Sequence, residues 1–209
     1  MSTVHVPILV GPIRDALMAP FQALPPEAEP HWLVDCTLGG GGHCHSFLEF
    51  FRSDARLQKH RVLALDQDPE AIRRGRSRFA AEIADGRLEL QQARFGEAEG
   101  WIRNRRTLAL MADLGFSSDQ LADSKRGLSF QSEGPLDMRL DASRGESCRE
   151  LLAKISEREL EEILREWGEE KFSKRIAGAI VARRRQGETF ATTQDLVQVV
   201  VRAIPVGAR

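Results

Sequence analysis

A run of glycines at residues 39–42 is the feature that most constrains the fold of this chain. It follows a short apolar stretch that ends in Asp35 and precedes residues 43–51, whose apolar spacing is helical. Glycine lets the backbone approach a ligand closely and adopt a positive φ without a steric penalty. The start of the following helix offers free amides and a partial positive charge. A strand, a glycine turn and a helix in this order predict a ligand-binding turn within a βαβ unit.

The alternation of strands and helices continues through the first half of the chain. Residues 61–66 predict a second strand, and Pro69 is well placed to open a helix that extends to about residue 84. Residues 88–90 and 108–113 predict a third and a fourth strand. Since right-handed helical crossovers join parallel strands, we expect an α/β fold with a doubly wound, mostly parallel, Rossmann-like sheet.

The second half of the chain has a different pattern. Residues 115–145 are rich in Gly, Ser, Asp and Pro and predict an ordered loop region. Helical periodicity then predicts four helices, at residues 147–155, 156–167, 169–186 and 192–203. Two of them begin with sequences that resemble capping boxes, Ser156 to Glu159 and Thr192 to Asp195. We therefore expect an α/β domain at residues 1–122 and a loop and helical domain at residues 123–209.

Composition excludes several classes of protein. The chain is 42% hydrophobic and 29% charged, as is usual for a soluble globular protein. Its three cysteines include no CxxC pair, which argues for a reducing compartment. The N-terminus lacks the pattern of a signal peptide, and no stretch approaches the length of a membrane span. We expect a cytoplasmic protein that does not bind membranes.

Basic residues are concentrated towards the C-terminus, although the net charge of the whole chain is −1. Residues 171–209 contain eight lysines and arginines against two acidic residues, a balance of +6: Lys171, Lys174, Arg175, Arg183, Arg184, Arg185, Arg202 and Arg209 against Glu188 and Asp195. Such a segment is typical of a surface that binds nucleic acid, or of an ordinary solvated helix face. The charge balance alone leaves both interpretations open; if nucleic acid is the partner, the helix at residues 171–185, with Arg202, is the segment expected to bind its phosphates.

The glycine turn by itself does not identify its ligand. Asp66, at the end of the second strand, could accept hydrogen bonds from a ribose diol. The dinucleotide fingerprint requires a third glycine where this chain has Cys44, while an acid at the position of Asp35 is more typical of methyltransferases that use S-adenosylmethionine. An NAD-dependent oxidoreductase, a non-catalytic RNA-binding module and a turn with no ligand remain alternatives. The spacing of Cys36, Cys44 and their histidine neighbours matches no common zinc site, so we expect both cysteines to pack and no metal to bind.

A polar motif, ADLGFSS at residues 112–118, follows the fourth strand. Methylation of an exocyclic amine requires acceptors that hold the amino hydrogens and a route for one proton. Asp113, the Gly115 backbone and Ser117 could provide such acceptors. An Asx-type turn that merely ends the strand is the alternative.

These motifs together resemble the RsmH (MraW) family, the N4-cytosine methyltransferases of 16S ribosomal RNA in bacteria. Seven ordered blocks carry the resemblance: HVPIL at residues 5–9, DCTLGGGGH at 35–43, ALDQDP at 64–69, DLGFSSDQL at 113–121, RGLSF at 126–130, GPLDMR at 134–139 and GEEKFSKRIA at 168–177. The resemblance implies an S-adenosylmethionine-dependent methyltransferase domain interrupted by a helical substrate-recognition domain. Its implied partner is 16S rRNA in the small ribosomal subunit.

The resemblance also implies roles for individual residues. Gly41, Gly42 and His43 are expected at the methionine end of the cofactor, and Asp66 at its ribose. Phe95 is expected to pack beside the adenine. Asp113 is expected to be a catalytic acid that also lines the cofactor site, and Gln120 a further residue of that lining.

The resemblance also bears on the extent of the chain. Family members continue through a long helix and further strands, so we expect an incomplete sheet in a fragment of the enzyme. Whether the protein forms a homodimer is left open.

We expect direct transfer without a covalent enzyme intermediate, because no cysteine is placed to attack a pyrimidine. A DNA methyltransferase is a further alternative, although the D-P-P-Y type of motif is missing after the fourth strand.

Overall fold

The computed structural model describes residues 8–205 and 207, and the chain divides into two compact units between Ser118 and Asp119. The sequence placed this division a few residues later, after residue 122. Of the motif at residues 5–9, the first three residues lie outside the described part of the chain.

The first unit is built on a sheet of four parallel strands: β1 (Trp32–Asp35), β2 (Arg61–Asp66), β3 (Leu88–Gln92) and β4 (Thr107–Met111). All four were predicted. Their order in the sheet is β3-β2-β1-β4, which is the order of the first four strands in a doubly wound fold. β2 and β3 are therefore added on one side of β1 and β4 on the other, so the order of the strands reverses between β1 and β4. This reversal is the point at which such sheets bind ligands.

Helices cover both faces of this sheet: α1 (Val10–Gln22), α2 (Gly42–Ser53), α3 (Pro69–Arg78), α4 (Ala80–Ala84) and α5 (Ala98–Ile102). Adjacent residues of β1 point to opposite faces, because side chains alternate along a strand. Leu33 packs in a core cluster with Phe21 of α1 and Phe47 of α2. Val34 packs in a second cluster with Trp101 of α5. The prediction of a doubly wound, parallel α/β sheet is confirmed.

Two features of the first unit differ from the sequence prediction. Helix α1 was not predicted, since Gly11, Pro12 and Pro20 within it disfavour a helix. It forms nevertheless because its apolar face, including the buried Met18, packs on the sheet. The single helix predicted from residue 69 to residue 84 breaks at Phe79, whose backbone is non-helical (φ −110°, ψ 29°) and whose ring is buried.

The second unit is helical after an ordered loop region, as predicted. Its helices are α6 (Ser118–Ala122, at the boundary), α7 (Cys148–Lys154), α8 (Glu157–Glu166), α9 (Ser173–Arg185) and α10 (Thr193–Ala203). Both predicted capping boxes are confirmed, and Ser147 forms a third with Glu150. A separate core of Leu152, Leu160, Ile176, Ile180, Phe190 and Val199 holds these helices together.

Helix α9 begins at Ser173, later than the predicted residue 169, because Glu169 takes a left-handed conformation (φ 49°). Within residues 8–205, no helix is both long enough and apolar enough to cross a lipid bilayer.

Candidate active site

Hydrogen bonds join three loops at the carboxyl edge of the sheet. The Gly39 N–H, after β1, donates to Asp66 Oδ2 at the end of β2 over 2.8 Å. The Asp113 N–H, after β4, donates to Thr37 Oγ1 in the β1 loop, also over 2.8 Å. The loops after β1, β2 and β4 are therefore connected at the point where the strand order reverses.

The glycine loop adopts a conformation that few other residues would tolerate. Gly41 is the N-cap of α2 with φ 76°, and a Cβ there would lie 2.7 Å from Cε2 of Phe79. Arg78 Nη1 donates to the Gly40 carbonyl over 2.6 Å, and its guanidinium lies 5.0 Å from the centre of the Phe79 ring. The residues at the break between α3 and α4 thus contact the glycine loop and support its conformation. The sequence pattern singled out neither Arg78 nor Phe79.

Asp66 organises the loop through both carboxylate oxygens. Oδ2 accepts the Gly39 N–H, and Oδ1 accepts the Asp68 N–H over 2.9 Å. Burial raises the pKa of this carboxyl, and the two amide donors oppose that effect. A carboxylate has about four acceptor positions, so Asp66 retains the capacity to accept hydroxyl groups.

Asp35 is a fully buried carboxyl beside the glycine loop. Its Oδ1 accepts the Thr37 N–H over 3.0 Å, whereas its Oδ2 has no hydrogen-bond partner among the described residues. Burial raises its pKa to about 7, and the nearby charges of Asp66 and Asp113 add to that effect. A buried acid with one unsatisfied oxygen and a raised pKa is typical of a ligand site.

His43 and Asp113, both predicted site residues, lie close together. The buried His43, in the first turn of α2, has its Nε2 3.8 Å from Oδ2 of Asp113. The Asp113 side chain is half-exposed, at 50%, and can therefore reach an incoming molecule. Thr37, which fixes the Asp113 backbone, was missed because a single threonine beside a glycine run carries no distinctive sequence signal.

The other predicted site residues fall in different places. Phe95 begins a 3₁₀ turn, Phe95–Glu97, immediately after β3 at the same edge of the sheet, and its side chain is 55% exposed. Gln120 is buried in α6 and belongs to the second unit. Cys36 and Cys44 are buried in the core clusters, as packing residues. Across residues 8–205, no group of three histidine, cysteine or acidic side chains is arranged to hold a metal.

Two of the basic residues predicted to face RNA are structural instead. Arg183 pairs with Asp195 at 3.3 Å and stacks over Phe190 at 5.0 Å. Arg184 donates to two backbone carbonyl oxygens near the end of α7, at 3.0 and 2.8 Å. Among the described residues of this segment, the exposed basic ones are Lys171, Lys174, Arg175, Arg185 and Arg202. Arg183 and Arg184 therefore have structural partners within the protein, and RNA binding by the helix at residues 171–185 stays a prediction.

Comparison with known proteins gives a consistent picture. The model of the MraW methylase family matches residues 2–209. "Ribosomal RNA small subunit methyltransferase H" of Methylococcus capsulatus is 42% identical over 178 residues, covering 82% of this chain and 56% of the relative. Its namesake in Methylibium petroleiphilum is 36% identical over 203 residues, covering 96% and 59%.

A third relative of the same name, from Chromohalobacter salexigens, is 42% identical over 177 residues, covering 82% of this chain and 50% of the relative. The chain spans between half and three-fifths of the length of these curated relatives.

Proposed function

The chain belongs to the MraW methylase family, and from this premise we propose that it transfers a methyl group from S-adenosylmethionine to N4 of a cytosine in 16S ribosomal RNA. The proposal includes a cytoplasmic site of action, where small ribosomal subunits are the substrate. The names of the relatives, which refer to ribosomal RNA of the small subunit, support the substrate class. The nature of the donor and of the target atom is argued from the site.

One observation carries the proposal: the glycine loop, Asp66 and Asp113 are bonded into one edge of the sheet at the reversal of strand order. This edge is where doubly wound sheets bind nucleoside cofactors. In the proposed site, residues 41–43 hold the methionine end of the donor and Asp66 accepts the ribose hydroxyls. Phe95 packs beside the adenine.

The charge of this edge favours S-adenosylmethionine over NAD. Asp35, Asp66 and Asp113 are close enough for Asp66 and Asp113 to raise the pKa of Asp35. S-adenosylmethionine carries an ammonium and a sulfonium, both of which such a group of acids would attract. The orphaned Oδ2 of Asp35 offers an acceptor to a cation. The pyrophosphate of NAD would instead be repelled by these acids.

In the proposed mechanism, the protein holds the cytosine N4 amine in one orientation by accepting a hydrogen bond from it. When bound, S-adenosylmethionine supplies a methyl group on a positively charged sulfur, so that the N–C bond forms as the S–C bond breaks and one proton leaves N4. Asp113 accepts an N4 hydrogen, which aligns the nitrogen lone pair, and then takes or relays the proton. His43 lies 3.8 Å from Asp113 and borders the same site. No side chain forms a covalent bond to the base.

RNA binding in this proposal uses the exposed basic residues of the second unit. Phosphate neutralisation by lysines and arginines is sequence-independent and weakens as salt concentration rises. The target base must leave its stack to reach the reacting edge, as is general for enzymes that modify bases. Lys171, Lys174 and Arg175 are the proposed phosphate contacts.

The donor is tested by calorimetry on this chain with S-adenosylmethionine, S-adenosylhomocysteine and NAD. We expect both adenosyl sulfur compounds to bind and NAD not to bind. Asp66→Ala should weaken binding by at least tenfold, whereas Glu99→Gln, a change at an exposed carboxylate outside the proposed binding residues, should have no effect. Binding of NAD alone would favour an oxidoreductase. RNA affinity without binding of any nucleoside would favour a non-catalytic module. Either outcome would refute the proposal.

The reaction is tested with the protein and radiolabelled donor. Small ribosomal subunits that lack the modification should accept the label, and nucleoside mass spectrometry should identify N4-methylcytosine. Asp113→Ala should abolish transfer even when the donor concentration is saturating. Label in duplex DNA rather than in subunits, or near-normal turnover by Asp113→Ala, would contradict the substrate or the catalytic role, respectively.

A further inference from the structure

A groove of about 520 Å³ lies between α7 and α8 in the second unit. The groove is lined on the α7 side by Leu151, Lys154 and Ile155, and on the other side by residues of α8 and its C-cap. It is independent of the sheet edge, and nothing in the proposed methyl transfer uses it.

Helix α8 presents a second apolar stripe to this groove. Leu160 is buried in the helical core, as expected for an amphipathic helix. Ile163 and Trp167, four residues apart and therefore on one face, are 41% and 86% exposed. An isolated exposed apolar residue is unremarkable, but an exposed tryptophan beside an isoleucine in a groove is typical of a protein-binding surface.

Acidic residues border the same stripe. Glu159, Glu162 and Glu166 line the groove, and along α8 as a whole five glutamates face only two arginines. Among the described lining residues, Lys154 is the one cation, and it pairs with Glu146 at 2.6 Å. Arg158 and Arg165 contact Glu162 and Glu166, but such exposed pairs contribute little and can exchange partners.

We propose that the groove between α7 and α8 binds a lysine- and arginine-rich protein segment that places an apolar side chain beside Trp167. The acidic border attracts the basic side chains of such a segment, and the Trp167 ring offers a cation a favourable face. A nucleic acid would meet the same border with its phosphates and would be repelled. The basic residues of α9 would bind RNA, while this groove would bind protein.

The probe is a synthetic peptide of lysines and arginines that carries one leucine and one phenylalanine. Binding is measured by calorimetry and by the emission of Trp167 in the Trp32→Phe/Trp101→Phe background, where Trp167 is the only one of the chain's three tryptophans that remains. We expect a shift of Trp167 emission on binding, and an affinity that falls as salt concentration rises.

Matched variants locate the peptide. Trp167→Ala and, separately, Glu162→Gln/Glu166→Gln should each lower the affinity at least tenfold, with unchanged circular dichroism because these side chains are on the surface. The pair Glu49→Gln/Glu99→Gln removes the same charge from helices of the first unit and should change nothing. A peptide with both apolar residues replaced by serine should bind at least tenfold more weakly.

Several results would overturn the proposal. One is peptide binding that the groove variants leave unchanged, or no peptide binding below millimolar concentration. Another is a shift of Trp167 emission with a single-stranded RNA but not with the peptide. If Trp167→Ala instead abolished self-association of the chain in sedimentation, the groove would be an interface between copies. None of these results would affect donor binding at the sheet edge.

Discussion

Replacing Asp35 with asparagine removes a charge that the folded protein disfavours and keeps the shape of the side chain. The carboxyl is fully buried, its Oδ1 accepts the Thr37 N–H, and its Oδ2 has no partner among the described residues. Asparagine retains the acceptor and, like a protonated acid, carries no charge. Asp35→Asn therefore isolates the contribution of ionisation to the free energy of unfolding.

The sign and the size of the effect follow from the raised pKa. It is about 7 in the folded protein, against 3.8 for an unperturbed aspartate. Between these values the folded state holds a proton that the unfolded state has lost, so stability falls as pH rises through this window and is level above it. At about 1.36 kcal/mol for each pH unit, the loss amounts to about 4 kcal/mol. We expect Asp35→Asn to match the wild type near pH 4 and to exceed it by up to about 4 kcal/mol at pH 8.

The assay is urea unfolding at several pH values between 4 and 8. Both proteins carry Trp167→Phe, so that fluorescence comes from Trp32 and Trp101 in the first unit. Glu99→Gln, a change at an exposed carboxylate, serves as the control and should follow the wild type at every pH. A stability difference that does not vary with pH, or a wild type that gains on the variant as pH rises, would refute the reasoning.

Three further predictions follow from single contacts. Gly41→Ala should lower the free energy of unfolding by about 1–3 kcal/mol, measured in urea, and abolish donor binding, because the alanine would have to adopt φ 76° and its Cβ would lie 2.7 Å from the Phe79 ring. Gly40→Ala is the control and should be as stable as the wild type, since its Cβ would have no atom within 4 Å. Thr37→Val removes the acceptor for the Asp113 N–H and should lower kcat with little change in KM, while Thr37→Ser, which keeps the hydroxyl, should retain kcat. A raised KM with an unchanged kcat would contradict a positioning role for Thr37. Arg184→Met should destabilise the second unit in thermal unfolding without changing RNA affinity, since its guanidinium bonds to backbone carbonyl oxygens; weaker RNA binding by a folded variant would count against this assignment.

The sequence predicted those parts of the fold that depend on local pattern. The four strands, the glycine turn and both capping boxes were visible because each rests on residues close in sequence. Helix α1 was not, because Gly11, Pro12 and Pro20 argue locally against a helix, and the packing of Met18 on the sheet overrides them.

Tertiary partners explain what the sequence could not supply at the site. Phe79 interrupts a predicted helix because its ring must pack under the glycine loop, a contact between residues 38 positions apart. Arg183 and Arg184 belong to a basic segment by sequence, and only their neighbours reveal that they join α9 to α10 and to the end of α7. Thr37 bonds to a residue more than seventy positions away. None of these contacts leaves a local signal.

The electrostatics of the sheet edge link stability to ligand choice. Burial raises the pKa of Asp35, and the charges of Asp66 and Asp113 add to that effect, so ionisation of Asp35 at the unliganded edge is opposed by desolvation and by repulsion. Active sites commonly retain such destabilising groups because function requires them. A cationic donor relieves the repulsion, whereas a pyrophosphate would increase it. Binding of the proposed donor should therefore release about one proton near pH 6, as Asp35 ionises. The number of protons released is measured by calorimetry in buffers of different ionisation enthalpy. Asp35→Asn should bind the donor more weakly and release no proton, and an unchanged proton count in this variant would rule out Asp35 as the group that senses the ligand.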